Sequence, residues 1–531
     1  MDVAASKTHI LAIDHGTSGI KTSLVSARGE IIATESEPSQ TIHLVGGGVE
    51  QDAQAWWRSL VSTARRLVEK NLVNRASIRA VAVSSTFSST VAVDRQGLPV
   101  APAIMWMDMR GAPYVRQMMR GWPRFDGYGV ARLLRWIRIT GGAPTLTGKD
   151  DIGHALLIQH EFPEVYRATA KFLPSKDYLN ARLTGRLVAG FDSIQLFWLT
   201  DTRDISRVRY HPGLVQLSGL DQDKLPELIS AMDIVGPLLP EVAASIGLEE
   251  SAVVVGGAPD HQAAGLGSGA VDDFDAHLYF GTSSWIQCAV PFKKTDALHS
   301  IASLPMCVPG RYYCANEQDM AGGCLEFLLK NLLLPPDGLT AVAVPDDAYA
   351  RLETMAARIA PGSDGVIFCP WLNGERTPVD DANLRGAFVN LSNTTEQAHL
   401  VRAVLEGVAY NTRWSLSYVE RFLGRRLPKL NFIGGGAISD TWCQILADVL
   451  GRPIWRVAEP RAANARGVAL LASAALGQIG FRDIGGLVPI ERRFEPDGSQ
   501  RGLYDRMYAA FIAIYRQNRR TYARLNGGRD S

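Results

Sequence analysis

Near the start of the chain stands Ile10-Leu-Ala-Ile-Asp-His-Gly-Thr-Ser-Gly19, a short apolar run that enters a turn rich in glycine and hydroxyl side chains. A run of four apolar residues bounded by turn residues is typical of a buried strand. Two further apolar segments, Ile20–Val25 and Ile31–Thr34, are separated by the turn Ala27-Arg-Gly-Glu30. The sequence therefore predicts a meander of three strands whose first turn is built from glycine, threonine and serine.

A similar arrangement recurs in the second half of the chain. There, His277-Leu-Tyr-Phe280 leads into Gly281-Thr-Ser-Ser284, and Trp285–Val290 leads out again. The two Gly-Thr-Ser triplets begin at Gly16 and Gly281, which are 265 residues apart, close to half of the chain length. One such unit in each half indicates two similarly built lobes. The alternative is that two hairpin turns of this composition arose by chance.

Strand-like and helix-like patterns alternate along the rest of the chain. Ile78–Ser84 and Ala252–Val255 have the composition of buried strands, and Trp56–Leu67 has the periodicity of an amphipathic helix. Such alternation is typical of an α/β protein with layered sheets and helices. We predict a lobe boundary at the glycine-rich segment that begins at Gly256, with an N-terminal lobe of residues 1–256 and a C-terminal lobe of residues 257–531.

Charge and cysteine content restrict the classes of function. The 531 residues include 55 Lys and Arg and 54 Asp and Glu, a formal charge of +1, so the chain has no general positive field for nucleic acid. Its six cysteines form no C-x-x-C pair, which disfavours a disulfide framework or a zinc site and favours a reducing compartment. No apolar stretch is long enough to span a bilayer. We expect a cytoplasmic protein with neither nucleic acid nor membrane as a partner.

The two Gly-Thr-Ser turns are suited to hold phosphate. Without a side chain at Gly16, backbone N–H groups approach an anion closely, and Thr17 and Ser18 add hydroxyl donors. Asp14 is placed to hold a hydrated Mg²⁺, which prefers a few carboxylates together with phosphate oxygens. The Gly281 turn offers a second cradle, so the two turns would clamp a triphosphate. The spacing is not that of a Walker A loop, and for each turn a hairpin without a ligand is the alternative.

Two further features predict parts of a catalytic cleft. Gly434-Gly-Gly-Ala437 precedes a predicted helix and leaves a flat surface for an adenine or ribose, while close helix–sheet packing is the alternative. Asp260 follows a predicted strand and a glycine-rich turn, at the start of a helix. There it could accept a proton from a hydroxyl that attacks a phosphoryl group, while an ordinary helix N-cap is the alternative.

Two segments of the first half carry aromatic and charged residues together. Trp106-Met-Asp-Met-Arg110 suits a polyol, whose C–H face would stack on the indole while its hydroxyls bond to Asp and Arg. Its alternative is a surface turn with an Asp–Arg pair. An irregular stretch between Tyr114 and Ile139 holds six arginines with Trp122 and other aromatics. It would contact an anionic surface or, as we favour, form a helical cap or a subunit contact.

Taken together, these motifs resemble the FGGY carbohydrate kinases, most closely their xylulokinase-like branch, over nearly the whole chain. The shared motifs, in chain order, are Asp14-His-Gly-Thr-Ser with Lys21, Trp106-x-Asp-x-Arg110, Asp177-Tyr-Leu with Leu183-Thr-Gly185, Gly257-Ala-Pro-Asp260, Gly281-Thr-Ser, Ala321-Gly-Gly323, Leu372-Asn-Gly-Glu-Arg-Thr-Pro378, Arg385-Gly-Ala-Phe388, and Gly434-Gly-Gly-Ala437 with Gln444-Ile-Leu-Ala-Asp448. Each is weak alone, but nine in this order are specific.

The resemblance implies two actin-like, ribonuclease H-like lobes with ATP and Mg²⁺ in the cleft between them. It implies Asp260 as general base, with Asp14 and Asp260 near the metal. The positions implied for the nucleotide are Thr17, Ser18, Gly281, Thr282, Gly322, Gly435, Gly436 and Asp440. The positions implied for the sugar are Phe87, Ser88, Trp106, Asp108, Asp260 and His261. The resemblance further implies a small-molecule sugar or polyol as partner. Such kinases are often dimers, but the sequence does not show the oligomeric state of this chain.

The chain departs from the family pattern where the sugar is chosen. Phe87-Ser88-Ser89 stands where xylulokinases usually have Met-His-Gly, and His261 stands where they tend to have Asn. We therefore predict ATP-dependent phosphorylation of a sugar or polyol hydroxyl, with a ketopentose such as D-xylulose first and a ribulose-, glycerol- or erythritol-like substrate as the alternative. An actin-like assembly or chaperone ATPase is the competing class, which the sugar-side motifs disfavour.

Overall fold

The structure is a computed structural model that describes residues 8–334 and 344–527. Strands before the middle of the chain are β1 His9–Gly16, β2 Gly19–Ser26, β3 Ile31–Pro38, β4 Ile42–Leu44, β5 Gly48–Gln51, β6 Ile78–Ser85, β7 Thr90–Val93, β8 Ala103–Ile104, β9 Arg124–Phe125, β10 Tyr128–Gly129, β11 Lys171–Pro174, β12 Val188–Gly190, β13 Thr200–Asp201, β14 Arg209–Tyr210, β15 Glu227–Ile229, β16 Ile234–Pro237 and β17 Val253–Pro259. Later strands are β18 Ala276–Phe280, β19 Ser284–Val290, β20 Thr295–Asp296, β21 Ile301–Pro305, β22 Tyr312–Ala315, β23 Ile367–Cys369, β24 Ala387–Val389, β25 Leu430–Gly434, β26 Ile454–Val457 and β27 Ile490–Phe494.

The α-helices lie mostly between these strands. They are α1 Ala53–Glu69, α2 Ala112–Met118, α3 Val130–Thr140, α4 Asp151–Glu161, α5 Pro163–Ala168, α6 Ser175–Thr184, α7 Pro212–Ser218, α8 Pro240–Ile246, α9 Asp260–Gly267, α10 Gly322–Phe327, α11 Ala348–Arg358, α12 Gln397–Leu423, α13 Asp440–Leu450, α14 Ala463–Ala475, α15 Ile484–Leu487 and α16 Arg501–Asn526. Within the described ranges, none is both long and apolar enough to cross a membrane.

Two large sheets organise the strands, one in each half of the chain. The first has the order β16-β17-β6-β1-β2-β3, and the second has the order β20-β21-β22-β19-β18-β25-β26-β27. The meander of β1, β2 and β3 is antiparallel as predicted, and β18 and β19 form the equivalent hairpin. The predicted α/β class and the two similarly built lobes are therefore confirmed.

Parallel pairing brings the predicted motifs to the edges of these sheets. Strands β1, β6 and β17 are parallel neighbours, and their register pairs Asp14 with Ser84. Asp260 follows β17 directly. In the second sheet, parallel β18 and β25 pair Phe280 with Gly434. Because the carboxyl ends of parallel strands meet at one edge, each Gly-Thr-Ser turn lies beside a second motif, where open α/β sheets bind their ligands.

The lobes meet through α9 and α14, which follow strands of different sheets. α14 also packs on β1 and β6 of the first sheet. A Cβ at Gly267 would overlap the carbonyl oxygen of Ala463, and a Cβ at Gly467 would overlap that of Ala263. The two helices therefore touch backbone to backbone, a contact that only glycine allows.

The predicted boundary between residues 256 and 257 falls inside β17. This strand remains paired with β6 through its last residue, where Pro259 faces Ser85. The division of the chain at residue 256 stays a prediction.

The stretch between Tyr114 and Ile139 is largely helical, so its description as irregular is wrong, whereas the helices of the favoured interpretation are present. Most of it belongs to α2 and α3, and the β9–β10 hairpin joins them. Trp136 is buried, whereas Trp122 is 90% exposed. The glycines and Pro123 in the connection obscure the helical periodicity on either side.

Candidate functional site

Asp14 lies near the carboxyl end of β1 and is 8% exposed. Asn464, the second residue of α14, donates a hydrogen bond from Nδ2 to Asp14 Oδ1 at 3.2 Å. Burial raises the pKa of Asp14, the negative charge of Asp260 raises it further, and Lys21 and the Asn464 hydrogen bond oppose the shift. Asp14 and Asp260 are therefore close enough for their charges to interact.

Asp260 is the first residue of α9, and its side chain is 30% exposed. Its Oδ1 accepts a hydrogen bond from the backbone N–H of His261 at 2.7 Å. The N-cap position is occupied by Pro259, so the alternative interpretation of Asp260 as an N-cap does not hold. Among the described residues, Asp260 Oδ2 has no hydrogen-bond donor. One carboxylate oxygen is thus available to a ligand.

The first phosphate turn is joined directly to the predicted polyol motif. Trp106 Nε1 donates a hydrogen bond to Thr17 Oγ1 at 3.0 Å. The carbonyl oxygen of Thr17 accepts a second bond from Gln51 Nε2 at 2.9 Å. Ser18 is exposed at the tip of the turn. Since Thr17 Oγ1 accepts from the indole, its own proton remains free to be donated to an anion.

Asp108 is fully buried beneath this motif, and both of its oxygens are occupied. Oδ2 accepts the backbone N–H of Val49 at 2.8 Å and the Arg110 guanidinium at 2.7 Å, and Oδ1 accepts the Arg110 N–H at 2.9 Å. Arg110 also pairs with Glu50 at 2.6 Å. These contacts fix the loop that carries Trp106. A direct bond from Asp108 to a sugar stays a prediction.

The second phosphate turn is braced by the start of α10. The backbone N–H of Ala321 donates to the Thr282 carbonyl at 2.7 Å, and that of Gly322 donates to the Gly281 carbonyl at 2.9 Å. A Cβ at Gly322 would lie only 2.5 Å from the same Gly281 oxygen. The structure therefore brings Gly281, Thr282 and Gly322 together, as the sequence predicts.

The three glycines after β25 have different surroundings. A Cβ at Gly434 would overlap the Phe280 carbonyl oxygen, and a Cβ at Gly436 would lie 2.7 Å from Phe280 Cβ. A Cβ at Gly435 would have no neighbour within 4 Å. Close packing thus accounts for Gly434 and Gly436, and the open surface of the loop is at Gly435.

Asp440 begins α13 immediately beyond these glycines. Its Oδ1 accepts a hydrogen bond from Arg456 at 2.5 Å, and its Oδ2 accepts one from Arg492. Ser439 is the N-cap and bonds to the backbone N–H of Trp442 at 3.0 Å. The carboxylate of Asp440 is therefore already neutralised by two guanidinium groups, and its contact with a nucleotide stays a prediction.

An aromatic group lies beside Asp260 on the sugar side. The Phe87 ring lies 4.6 Å from the His261 ring, and His261 lies 4.9 Å from Tyr313, between ring centres. Ser88 has a left-handed backbone with φ of 61°, and its Oγ donates to the Lys149 carbonyl at 2.9 Å. The structure therefore brings Phe87 and His261 together and turns the Ser88 hydroxyl toward the protein.

Three residues of this region were not predicted from the sequence. Asn464, Tyr313 and Tyr279 reach the site from segments outside the recognised motifs. Asn464 is 450 residues from Asp14 in the chain, so no local pattern links them. For Tyr279, the one available signal is its place two residues before Gly281.

Two lobes with a Gly-Thr-Ser turn each, and two interacting carboxylates at one edge of the first sheet, are typical of a phosphotransferase with an actin-like fold. The model of the FGGY family of carbohydrate kinases, N-terminal domain, matches residues 9–140 and 150–267, and that of the C-terminal domain matches residues 277–476. The chain belongs to the FGGY family of carbohydrate kinases. It is thus an enzyme that transfers a phosphoryl group to a sugar alcohol group, and the resemblance seen in its sequence is confirmed.

Individual relatives match over nearly their full length. The chain is 26% identical to a xylulose kinase of Staphylococcus epidermidis over 538 residues, covering 98% of this chain and 99% of that protein. It is 29% identical to a xylulose kinase of Escherichia coli over 515 residues, covering 96% and 98%. The crystal structure of a xylulose kinase from Rhodospirillum rubrum superposes with a TM-score of 0.81 at 26% identity, covering 97% and 99%. These comparisons confirm the two-lobed fold.

Proposed function

We propose that this kinase transfers the γ-phosphoryl group of ATP to a hydroxyl group of a ketopentose, with D-xylulose as the first candidate. The observation that carries the proposal is that Asp14 and Asp260 lie at the same edge of the first sheet, at the ends of β1 and β17, which flank β6, close enough for their charges to interact. Two further supports are the pair of phosphate turns and the relatives named xylulose kinase.

In the proposed reaction, Asp260 is the general base. The sugar hydroxyl gives its proton to the Asp260 carboxylate, and its oxygen forms a bond to the γ-phosphorus as the bond to the bridging oxygen of ADP breaks. The free Oδ2 of Asp260 suits this role, since Oδ1 is held by the His261 N–H. That bond fixes the orientation of the carboxylate, so the base is aligned before the substrate binds.

The backbone and hydroxyl donors of the two turns would hold the phosphates. Thr17 retains a hydroxyl proton after it accepts the Trp106 bond, and the second turn is rigid because Ala321 and Gly322 brace it. Rigid donors stabilise the charge that develops on the transferred group without reorganising. Gly435 leaves room for the base or ribose of the nucleotide.

Asp14 and Asp260 fit Mg²⁺ as a partner of the phosphates. Burial and the neighbouring carboxylate both raise the pKa of Asp14, an arrangement that a divalent cation would relieve. Asp14 would hold the ion, directly or through water, together with phosphate oxygens. When bound, Mg²⁺ would neutralise charge on the phosphates and orient them for transfer.

On the sugar side, Trp106 would contact the carbon face of the substrate, and Phe87 with His261 would close the pocket beside the base. A site that pairs specific hydroxyls discriminates strongly against analogues that lack them, because its buried polar groups are then unpaired. The position of Ser88, whose hydroxyl bonds to the Lys149 carbonyl, leaves the sugar fewer polar partners at this point.

A coupled assay of ADP release across pentuloses, hexuloses and alditols tests the proposal. The expected result is Mg²⁺-dependent turnover that requires an acceptor, with the highest kcat/KM for D-xylulose. A higher kcat/KM with an alditol or hexulose would overturn the sugar assignment. ATP hydrolysis that no acceptor stimulates, together with nucleotide-dependent filaments, would overturn the kinase proposal itself and favour an assembly ATPase.

A further inference from the structure

Tyr279 occupies the last position but one of β18, on the face of the second sheet that turns toward α9. Its neighbours in the strand, Leu278 and Phe280, point into the core of the second lobe. His277, on the same face as Tyr279, is covered by α9, because a Cβ at Gly265 would lie 3.1 Å from the His277 ring. Since side chains alternate along a strand, Tyr279 extends one step further along this face toward the cleft.

The hydroxyl of Tyr279 lies against the second phosphate turn. A Cβ at Gly281 would be 2.5 Å from Tyr279 Oη, and a Cβ at Gly434 would be 3.1 Å from Tyr279 Cδ2. The phenol therefore lies between the turn after β18 and the glycine loop after β25. Those are the two loops to which the sequence assigns the nucleotide.

The electrostatic surroundings of Tyr279 keep it protonated. Burial raises its pKa, and the negative charges of Asp260 and Asp14 raise it further. Among the hydrogen bonds of the described residues, the Tyr279 hydroxyl donates to none. It is thus a neutral O–H donor directed to a place where an anionic acceptor would bind.

A second aromatic ring holds the phenol in position. The rings of Tyr279 and Trp285 are stacked, with centres 4.0 Å apart and planes 9° from parallel. Trp285 Nε1 in turn donates a hydrogen bond to His277 Nε2 at 3.1 Å. Burial lowers the pKa of His277 to about 3, so the ring is neutral and Nε2 stays an acceptor. The phenol ring of Tyr279 is therefore held by its stack on Trp285, and the hydrogen bond to His277 holds Trp285 in turn.

We propose that Tyr279 donates a hydrogen bond to the γ-phosphoryl group of ATP. Its hydroxyl lies against the Gly281 turn, to which the proposed function gives the phosphates. In that function Asp260 is the base that faces the transferred group and Asp14 is the carboxylate on the metal side, and the charges of both reach Tyr279. The inference rests on the proposed function in that it takes ATP as the occupant of the cleft. It does not depend on which sugar is the acceptor.

The test compares the binding of two nucleotides to wild type and to Tyr279→Phe, which keeps the ring and its stack on Trp285. Calorimetric titration without sugar, in the presence of Mg²⁺, should show about a tenfold or greater loss of affinity for a non-hydrolysable ATP analogue, as expected for a hydrogen bond to a charged group. ADP affinity should change less than about twofold. Tyr349→Phe, an exposed tyrosine on α11, is the matched control and should leave both affinities unchanged.

Equal loss of ATP-analogue and ADP affinity in Tyr279→Phe, or no loss of either, would overturn the inference. A second measurement guards against a general effect of the substitution. In protein labelled with 3-fluorotyrosine, the ¹⁹F signal that Tyr279→Phe removes should shift with the ATP analogue and much less with ADP. A signal that moves equally with both nucleotides would also overturn it. Because no sugar is present, an incorrect sugar assignment would leave these results untouched.

Discussion

Trp106 Nε1 donates a hydrogen bond to Thr17 Oγ1 at 3.0 Å, which joins the aromatic ring proposed to contact the sugar to a hydroxyl of the first Gly-Thr-Ser turn. The two residues are 89 positions apart in the chain. The ring that would contact the sugar therefore also orients a hydroxyl that would contact phosphate, so a change at either residue is expected to affect both substrates.

Trp106→Phe keeps an aromatic face and removes the N–H. The hydrogen bond that orients the Thr17 hydroxyl is then lost, which is worth about 0.5–1.5 kcal/mol. If this hydroxyl contacts a phosphate group, KM for ATP should rise about two- to tenfold. Steady-state kinetics with each substrate varied in turn measures the effect. Trp122→Phe, at a 90% exposed position, is the control and should leave both KM values unchanged. An unaltered KM for ATP in Trp106→Phe would contradict the proposal that the Trp106 indole orients the Thr17 hydroxyl for ATP.

Asp260→Asn removes the proposed general base and keeps the shape of the side chain. Since a positioned base contributes about 10²–10⁴-fold to a proton transfer, kcat should fall by that order. Nucleotide affinity, measured by titration, should remain within about threefold of wild type, or tighten slightly as the repulsion with Asp14 is relieved. Asp347→Asn, at an exposed ion pair with Arg351, serves as the control. Full turnover in Asp260→Asn would exclude the assignment.

Asn464→Ala should alter the pH profile of the enzyme. In the proposed function Asp14 is ionised when it holds Mg²⁺, and burial already raises its pKa while the Asn464 bond lowers it. Loss of that bond raises the pKa further, so kcat/KM for ATP is expected to decline at a higher pH than in wild type as the solution is acidified. The measurement is kcat/KM as a function of pH. Asn518→Ala, on the outer helix α16, is the control and should leave the pH profile unchanged. If the pH profile of Asn464→Ala were the same as that of wild type, the effect of Asn464 on the pKa of Asp14 would be refuted.

Substitutions at the two neighbouring glycines Gly435 and Gly436 should have different effects, one on nucleotide affinity and the other on the stability of the fold. Gly436→Ala brings a Cβ to 2.7 Å from Phe280 Cβ and should lower stability by about 1–3 kcal/mol, seen as a lower Tm. Gly435→Ala adds a methyl group to open space, so Tm should stay constant while nucleotide affinity falls. A lower Tm in Gly435→Ala, with nucleotide affinity reduced only in Gly436→Ala, would contradict the assignment of Gly436 to packing and of Gly435 to nucleotide binding.

The sequence predicts those parts of the site that are local in the chain. Asp14, Thr17 and Gly281 stand at turns whose composition predicts both the end of a strand and a site for an anion, and the structure confirms the strand ends. Asn464 and Tyr279 lack such a signal, because their roles depend on which elements the fold brings together. Gly436 shows a further limit, since a glycine required for packing and a glycine left open for a ligand are identical in sequence.

The sequence also leaves the role of Asp108 open, because that role depends on which residues the fold places beside it. A carboxylate two residues after a tryptophan is compatible with either a sugar contact or an ion pair within the loop. In the structure it is covered by the Arg110 guanidinium and the Val49 N–H. Only the path of the neighbouring strand β5, which supplies Val49, shows this arrangement.

The glycine contact between α9 and α14 restricts how the enzyme can open and close. Neither helix can slide along the other, since Gly267 and Gly467 already bring main-chain atoms together. We therefore expect the lobes to change the angle between them and not to slide past each other along these helices. Asp260 and Asn464 stand in the first turns of these two helices, beside the contact, so we expect a change in the angle between the lobes to leave the two side chains near each other.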